Sequence, residues 1–176
     1  MSSLDWYILA LSMLPVTELR ATIPVAIALE MLPLRAFCLA VVGNLIPIFP
    51  ILLLLTPLEK LLGRISWLGL LLHKILTKTR SKGEQIKQYG LVGLALFVLV
   101  PLPGTGAWTG AMLAWLFGFP RLQAFMAISV GVLGAGIIVT LASVGVLEFA
   151  NFMGWEFLLG VAALLISFYL WRKKQK

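Results

Sequence analysis

The sequence predicts an all-α membrane protein of two inverted repeats, each a re-entrant helical hairpin followed by a transmembrane helix, plus an amphipathic linker helix and a C-terminal transmembrane helix. Composition is the first reason, because 61% of the 176 residues are hydrophobic, 12% are charged and mean hydropathy is +1.03. A soluble domain does not tolerate such a surface. The second reason is that prolines lie at the centres of two apolar regions. The third is that both halves of the chain show the same order of hairpin and span. We expect one membrane domain over residues 1–176.

The first apolar region, residues 6–32, consists of two arms that are too short to cross a bilayer. The arm before Pro15 has nine residues and the arm from Thr22 to Leu32 has eleven. At 1.5 Å per residue, each covers about half of a hydrocarbon core of roughly 30 Å. We therefore predict a re-entrant hairpin whose irregular tip, Pro15 to Pro24, lies near the midplane, within protein or beside a watery cavity.

The next apolar region, residues 34–55, is long enough to cross the membrane, and Asn44, Pro47 and Pro50 predict a kink or break in it. Residues 56–88 then carry seven of the 14 lysines and arginines, among apolar residues at helical spacing. This pattern predicts an amphipathic linker on the membrane surface. By the positive-inside rule, the linker and the basic C-terminus are cytoplasmic.

The second half repeats this plan, with a hairpin over residues 89–119 and a span over 121–147, and it adds a C-terminal span over 155–171. Shifted by 88 residues, Pro15 falls on Pro103 and Gly43 falls on Gly131. Because one span separates the first hairpin from the linker, the first hairpin enters from outside and the second from inside. Inverted repeats with broken helices that meet at mid-membrane are typical of secondary transporters.

Several classes of function are excluded by what the sequence lacks. The single cysteine, Cys38, allows no intramolecular disulfide and no cysteine metal cluster, so we expect neither a metal nor a cofactor. The apolar regions offer no His/Asp pair and no nucleophilic serine with a base nearby, which argues against an enzyme. The net charge of +7 lies mainly in the linker and tail, so it indicates topology and not nucleic-acid binding. We expect no cleavable signal either, because the first apolar region is preceded by Asp5 and not by a basic segment.

The first hairpin tip holds the main candidate site, since Glu18 and Arg20, with Thr17 beside them, lie between apolar segments. Two interpretations are open. In the structural one, the two charges form an internal ion pair or bind backbone groups freed by the prolines. In the functional one, Glu18 accepts a proton and Arg20 binds an anionic head group or keeps the carboxylate charged.

The second tip, Pro101 to Gly110, has no ionisable group but offers hydroxyls, accessible backbone amides and an aromatic wall that suit a phosphate or carboxylate. The alternative is that its glycines only permit a tight turn. Arg35 and Arg121 either anchor helix ends at the interface or gather substrate. The candidate residues in this tip are Gly104, Thr105, Gly106, Trp108 and Thr109. The secondary candidates elsewhere are Arg35, Arg121 and Asn44.

The segments Glu-Leu-Arg-Ala-Thr-Ile-Pro at 18–24 and Pro-Leu-Pro-Gly-Thr-Gly-Ala-Trp-Thr-Gly at 101–110 resemble the small multidrug export family of prokaryotic membrane proteins, a distant relative of the DedA superfamily. The resemblance implies two facing re-entrant hairpins and a transport role in the inner membrane, with DedA relatives proposed to move polyprenyl-phosphate lipids. Glu18 matches the acidic position of the DedA hairpins, whereas their second-loop arginine has no counterpart between 101 and 110.

We therefore expect a secondary transporter or flippase with a mid-membrane site, proton-coupled and moving an amphipathic anion such as a polyprenyl-phosphate lipid. An anion is favoured because an arginine at mid-membrane costs on the order of 2.5–3.5 kcal/mol without a partner, although Glu18 is itself a possible partner. The alternatives are proton-coupled export of small lipophilic cationic drugs and a non-transporting assembly factor. The expected partners are the lipid bilayer, the substrate and protons, with a homodimer left open.

Overall fold

The computed structural model describes residues 2–62, 74, 76–77, 90–102 and 104–153, and the regular structure in these ranges is helical. The chain divides into two compact units, residues 1–140 and 141–176. In the second unit, the described residues 141–153 are the end of the last helix. The helices are α1 (Ser3–Met13), α2 (Glu18–Ala28), α3 (Pro33–Leu45), α4 (Ile48–Leu62), α5 (Gly90–Leu99), α6 (Ala107–Phe117) and α7 (Arg121–Met153).

Helices α1 and α2 form a tight pair joined by residues 14–17. Each has 11 residues, which corresponds to about 16 Å at 1.5 Å per residue. A capping box begins α1, because the Ser2 amide donates to the Asp5 carboxylate at 2.7 Å and the Asp5 amide donates to the Ser2 hydroxyl at 3.3 Å. Helix α1 ends at Met13, just before the proline-containing turn.

The predicted irregular tip from Pro15 to Pro24 was too long. Helix α2 already begins at Glu18 and contains Pro24 within its length. A proline inside a helix removes one backbone hydrogen bond, but α2 packs against both α1 and α3. This packing outweighs the tendency of proline to break a helix, because most helical stability in proteins comes from tertiary packing.

Helix α3 lies directly on α1 because a glycine allows the close approach. A Cβ atom added at Gly43 would lie 2.5 Å from the Leu9 carbonyl oxygen. The buried Ser12 hydroxyl donates to the Ala40 carbonyl at 2.5 Å beside this contact. The predicted break is confirmed, since α3 ends at Leu45 and α4 begins at Ile48 after a short turn.

Two helical stretches are long and apolar enough to cross a membrane, Pro33–Glu59 with 27 residues and Arg121–Glu148 with 28. The first combines α3 with most of α4, and it contains the predicted span 34–55. The second contains the predicted span 121–147. Helix α4 itself continues to Leu62, so the first residues of the predicted linker are an extension of this helix.

Helices α5 and α6 form the second pair, and α7 packs on α5 as α3 packs on α1. A Cβ atom added at Gly131 would lie 2.6 Å from the Ala95 carbonyl oxygen. Helix α6 ends at Gly118, whose φ of +74° gives the left-handed C-cap conformation that glycine adopts most easily. The chain then turns and α7 begins at Arg121.

Aromatic side chains join the two halves of the first unit. The rings of Phe49 and Phe125 meet edge to face with their centroids 5.8 Å apart. The Trp115 indole donates to the Glu59 carboxylate at 3.0 Å, which connects α6 to α4. These contacts, which lie away from the hairpin tips, help to position the two tips relative to each other.

Two predicted elements lie outside the described residues. They are the C-terminal span 155–171 and most of the linker, residues 63–89 apart from 74 and 76–77. Both stay predictions.

Candidate functional site

The loop between α5 and α6 places the carbonyl end of one helix close to the amide end of the next. The last carbonyls and first amides of any helix lack partners within that helix. They also carry partial charges, negative at the carbonyl end and positive at the amide end. A loop of only residues 100–106 separates these two ends, so the second tip needs both a donor and an acceptor from elsewhere.

The Arg20 side chain supplies the donors. One guanidinium nitrogen, Nη2, donates to the carbonyls of Val98 at 3.3 Å, Val100 at 3.1 Å and Thr105 at 2.8 Å. The other, Nη1, donates to the carbonyl of Leu102. The guanidinium thus caps the end of α5 and the loop after it, where the helix dipole favours a cation.

The Glu18 side chain occupies the amide end of α6. Glu18 is only 7% exposed, and its Oε1 accepts a hydrogen bond of 3.5 Å from the Trp108 backbone amide. Gly106, the residue before α6, provides no capping side chain. A Cβ atom there would lie 1.9–2.2 Å from the Glu18 carboxylate atoms, so the absence of a side chain at Gly106 makes the space for this anion.

Glu18 and Arg20 therefore bind opposite helix ends of the second hairpin. The structure shows no ion pair between them within the residues it describes. Two residues apart at the start of α2, they point to different parts of the loop, as i and i+2 positions of a helix do. The structural interpretation allowed either an ion pair or bonds to backbone groups. The structure shows Glu18 and Arg20 bonded to backbone groups, and these groups belong to the second hairpin.

The threonines of the candidate list have different surroundings. Thr105 belongs to the site, because its hydroxyl oxygen accepts from Arg20 at 3.0 Å and lies 2.7 Å from the Val100 carbonyl oxygen. The Thr17 hydroxyl donates to the Leu11 carbonyl at 2.5 Å within the first hairpin. The Thr109 hydroxyl donates to the carbonyl of Gly106, the residue before α6, at 3.0 Å.

Gly104 and Trp108 complete the second tip. Gly104 has a φ of +87°, which favours glycine and indicates a role in the turn. Trp108 contributes its backbone amide to Glu18, as described above. Its indole Nε1 atom is buried and, among the described residues, has no hydrogen-bond partner, so this side chain retains an unused donor.

The secondary candidates do not join this site. Arg35 forms an ion pair with Asp5 at 2.6 Å, which links α1 to α3 at the open end of the first hairpin. Arg121 is exposed at the start of α7. Asn44 is 1% exposed, and its Oδ1 atom has no partner among the described residues.

Sequence reasoning missed two parts of this arrangement. The carbonyls that bind Arg20 have no signature, since every residue carries one. Asp5 was noted only as a residue before the first apolar region, although a buried acid in the first turn of a helix is a signal for a partner. It is 1% exposed and pairs with Arg35.

Two helices that are long and apolar enough to cross a membrane indicate a class, the membrane proteins. The chain belongs to the family described as "Putative small multi-drug export protein", whose model matches residues 18–138. The matched residues include Glu18, Arg20 and the whole second tip. Neither a curated protein nor a solved structure matches the chain. The relationship to the DedA superfamily is not shown by these comparisons and stays a prediction.

Proposed function

We propose that this protein is a proton-coupled secondary transporter and not an enzyme, and that proton and substrate share Glu18. The observation that carries the proposal is the burial of the Glu18 carboxylate between the two hairpins, at 7% exposure and without a basic side chain paired to it in the described residues. Burying a charge is costly unless it is paired and hydrogen-bonded. Such a carboxylate gains from taking up either a proton or a cationic ligand.

We further propose that both hairpins re-enter the membrane and that the two halves are inverted. The length of the helices supports re-entry, because α1, α2 and α6 have 11 residues each and a span needs about 20. The contacts of Arg20 support it too, since irregular backbone at membrane depth must be satisfied within the protein.

Equivalent glycine contacts support the internal repeat. Gly43 lies on Leu9 and Ser12 of α1, while Gly131 lies on Ala95 and Val98 of α5, and each pair of partners is three residues apart. The two glycines are themselves 88 residues apart, as the predicted repeat requires. The excess of lysine and arginine in residues 56–88 and at the C-terminus supports a cytoplasmic side for both. The resemblance to the small multidrug export family supports a multi-pass location in the prokaryotic inner membrane.

The surroundings of Arg20 favour a cationic substrate over an anionic one. The sequence argument for an anion was that an arginine at mid-membrane needs an anionic partner. Four backbone carbonyls bind Arg20 instead, so no anion is needed to stabilise it. Glu18, whose Oε1 accepts from the Trp108 backbone amide, is then the charge available to a ligand, and a lipophilic cation suits a buried carboxylate.

An amphipathic anion, such as a polyprenyl-phosphate lipid, is the second candidate. The feature that favours it is the amide end of α6 with the unpartnered indole donor of Trp108. When Glu18 is protonated, these donors suit a phosphate group. The two candidates differ in the sign of the ligand charge, which a transport assay separates.

The test uses liposomes that contain the purified full-length protein and a pH-sensitive dye inside. Tetraphenylphosphonium and a short-chain polyprenyl phosphate are added in parallel to the wild type, Glu18→Gln and the control Glu148→Gln, which changes an exposed carboxylate. We expect tetraphenylphosphonium to move protons with the wild type and the control, and Glu18→Gln to abolish the signal. Proton movement that survives in Glu18→Gln contradicts the proposal, and a response to the phosphate alone selects the second candidate.

A further inference from the structure

A cavity of about 270 Å³ lies between α5 and α6, at the end of the second hairpin away from its tip. Its lining consists of three phenylalanines, two leucines and two glycines, among them Phe97, Phe117 and Phe119. No polar side chain belongs to this lining. The rings of Phe117 and Phe119 lie 6.1 Å apart between centroids and form one wall.

The cavity exists because the two helices separate as they leave the tip. Near the tip they are in close contact, since a Cβ atom added at Gly110 would lie 2.7 Å from the Val98 side chain. Further from the tip, a Cβ atom at Gly93 would have no atom within 4 Å. Gly93 thus leaves empty the space that a larger residue of α5 would fill.

We infer that this cavity binds the ring-bearing, apolar part of the exported molecule, as a subsite separate from Glu18; the inference rests on the proposed function. The lining selects the chemistry, because phenylalanine rings without polar neighbours suit an apolar, aromatic group. A dry apolar cavity of about 150 Å³ accommodates one benzene, so this one holds roughly two rings. A lipid chain offers no ring and makes fewer of these contacts.

The position of the cavity on α6 relates it to the charged site. Leu113 and Phe117 follow Ala107, the first residue of α6, by six and ten residues. At 1.5 Å per residue this corresponds to about 9–15 Å along the helix. The close contact at Gly110 and Val98 lies between the two sites, so the cavity is a subsite separate from Glu18.

The test compares Gly93→Leu, which fills the cavity, with Gly145→Leu, which places the same side chain at a glycine that also has open space around it. Both changes favour a helix, so the fold is retained. Binding to the full-length protein in detergent is measured by equilibrium dialysis for tetraphenylphosphonium, which carries four rings, and for dodecyltrimethylammonium, which carries none. Proton release is measured separately.

We expect Gly93→Leu to raise the Kd for tetraphenylphosphonium at least tenfold and the Kd for dodecyltrimethylammonium less than twofold, with Gly145→Leu unchanged for both. An equal loss for both cations indicates a site for any alkyl chain and overturns the inference. Unchanged binding in Gly93→Leu also overturns it, while wild-type proton release still supports the proposed function. If Gly93→Leu loses only tetraphenylphosphonium binding and the wild type releases no protons, the cavity inference is supported and the proton coupling is contradicted. If the wild type does not bind tetraphenylphosphonium, the cavity inference and the proposed function are both overturned.

Discussion

The two hairpins have opposite chemistry at their tips. The first carries Glu18 and Arg20, whereas the second has no ionisable residue between 101 and 110. The second instead presents a carbonyl-rich helix end and an amide-rich helix end, and these bind the two charges of the first. Each tip is therefore incomplete without the other. A charge and a broken helix that are both unfavourable alone stabilise each other when they meet.

The open ends of the hairpins differ as well. Asp5 and Arg35 connect α1 to α3 through an ion pair of 2.6 Å. In the second half, α5 has no acidic residue in its sequence, and no ion pair involves Arg121 in the described part of the chain. The first hairpin is thus fixed to its span by charge and packing, and the second by packing.

The largest effect is expected from Arg20→Ala, which removes the hydrogen bonds from Arg20 to the second tip. Several carbonyls lose their donor at roughly 1–3 kcal/mol each, so the free energy of unfolding should fall by about 3 kcal/mol or more. Thermal unfolding in detergent measures this. Arg20→Lys should recover only part of the loss, because an ammonium group lacks the planar fork that binds several carbonyls.

The control for this substitution is Arg121→Ala, which changes an exposed arginine. It should alter the free energy of unfolding by less than about 0.5 kcal/mol. Equal effects of Arg20→Ala and Arg121→Ala would show that the contacts of Arg20 do not stabilise the fold.

A medium effect, equal in the two halves, is expected from Gly43→Ala and Gly131→Ala. The new Cβ atoms would lie 2.5 Å and 2.6 Å from carbonyl oxygens of the neighbouring helices. Overpacking of this kind costs typically about 1–3 kcal/mol, and we expect about 2 kcal/mol for each. Gly145→Ala is the control because its Cβ atom has open space. A large loss for one glycine and none for the other would argue against a shared packing plan.

The smallest effect is expected from Asp5→Asn, which tests the difference between the open ends. Arg35 is 53% exposed and Asp5 only 1%, so water screens one end of the pair and the loss of unfolding free energy should be about 1 kcal/mol. The loss should shrink in high salt. Arg35→Gln should have an effect of similar size, and the double variant should cost less than the sum of the two because they remove one interaction.

Arg121→Gln serves as the counterpart in the second half, where no ion pair is seen in the described residues. It should leave the unfolding transition unchanged at both salt concentrations. If Asp5→Asn behaves in the same way, the open ends of the two hairpins do not differ in the manner proposed here.

The elements that sequence reasoning predicted well are those with local signals. Apolar runs located the two membrane-length stretches, Pro33–Glu59 and Arg121–Glu148. The break between α3 and α4 was predicted from Pro47 and its neighbours. The prediction failed at Pro24, which lies inside α2. There the local preference of proline competes with packing on two other helices, and a sequence does not display that packing.

The sequence predicted which residues belong to the charged site, but it did not predict how they contact each other. Glu18, Arg20, Thr105, Gly106 and Trp108 were all candidates, because charges in apolar sequence and glycines in a short loop are visible in the chain. The contact between Glu18 and Gly106, which are 88 residues apart, was not predicted. Gly106 was considered for its flexible backbone, whereas the structure uses the space that its missing side chain leaves.

The sequence by itself determined the membrane class, the two membrane-length stretches and the break between α3 and α4. Hydropathy and proline act on the residues next to them, and this is why a linear pattern is sufficient to reveal them. Only the tertiary structure decided that Arg20 caps the end of α5 and that Glu18 caps the start of α6. Backbone carbonyls and amides are the same in every residue, and a side chain finds them through space. Charge compensation therefore depends on how the hairpins pack, which no local pattern encodes.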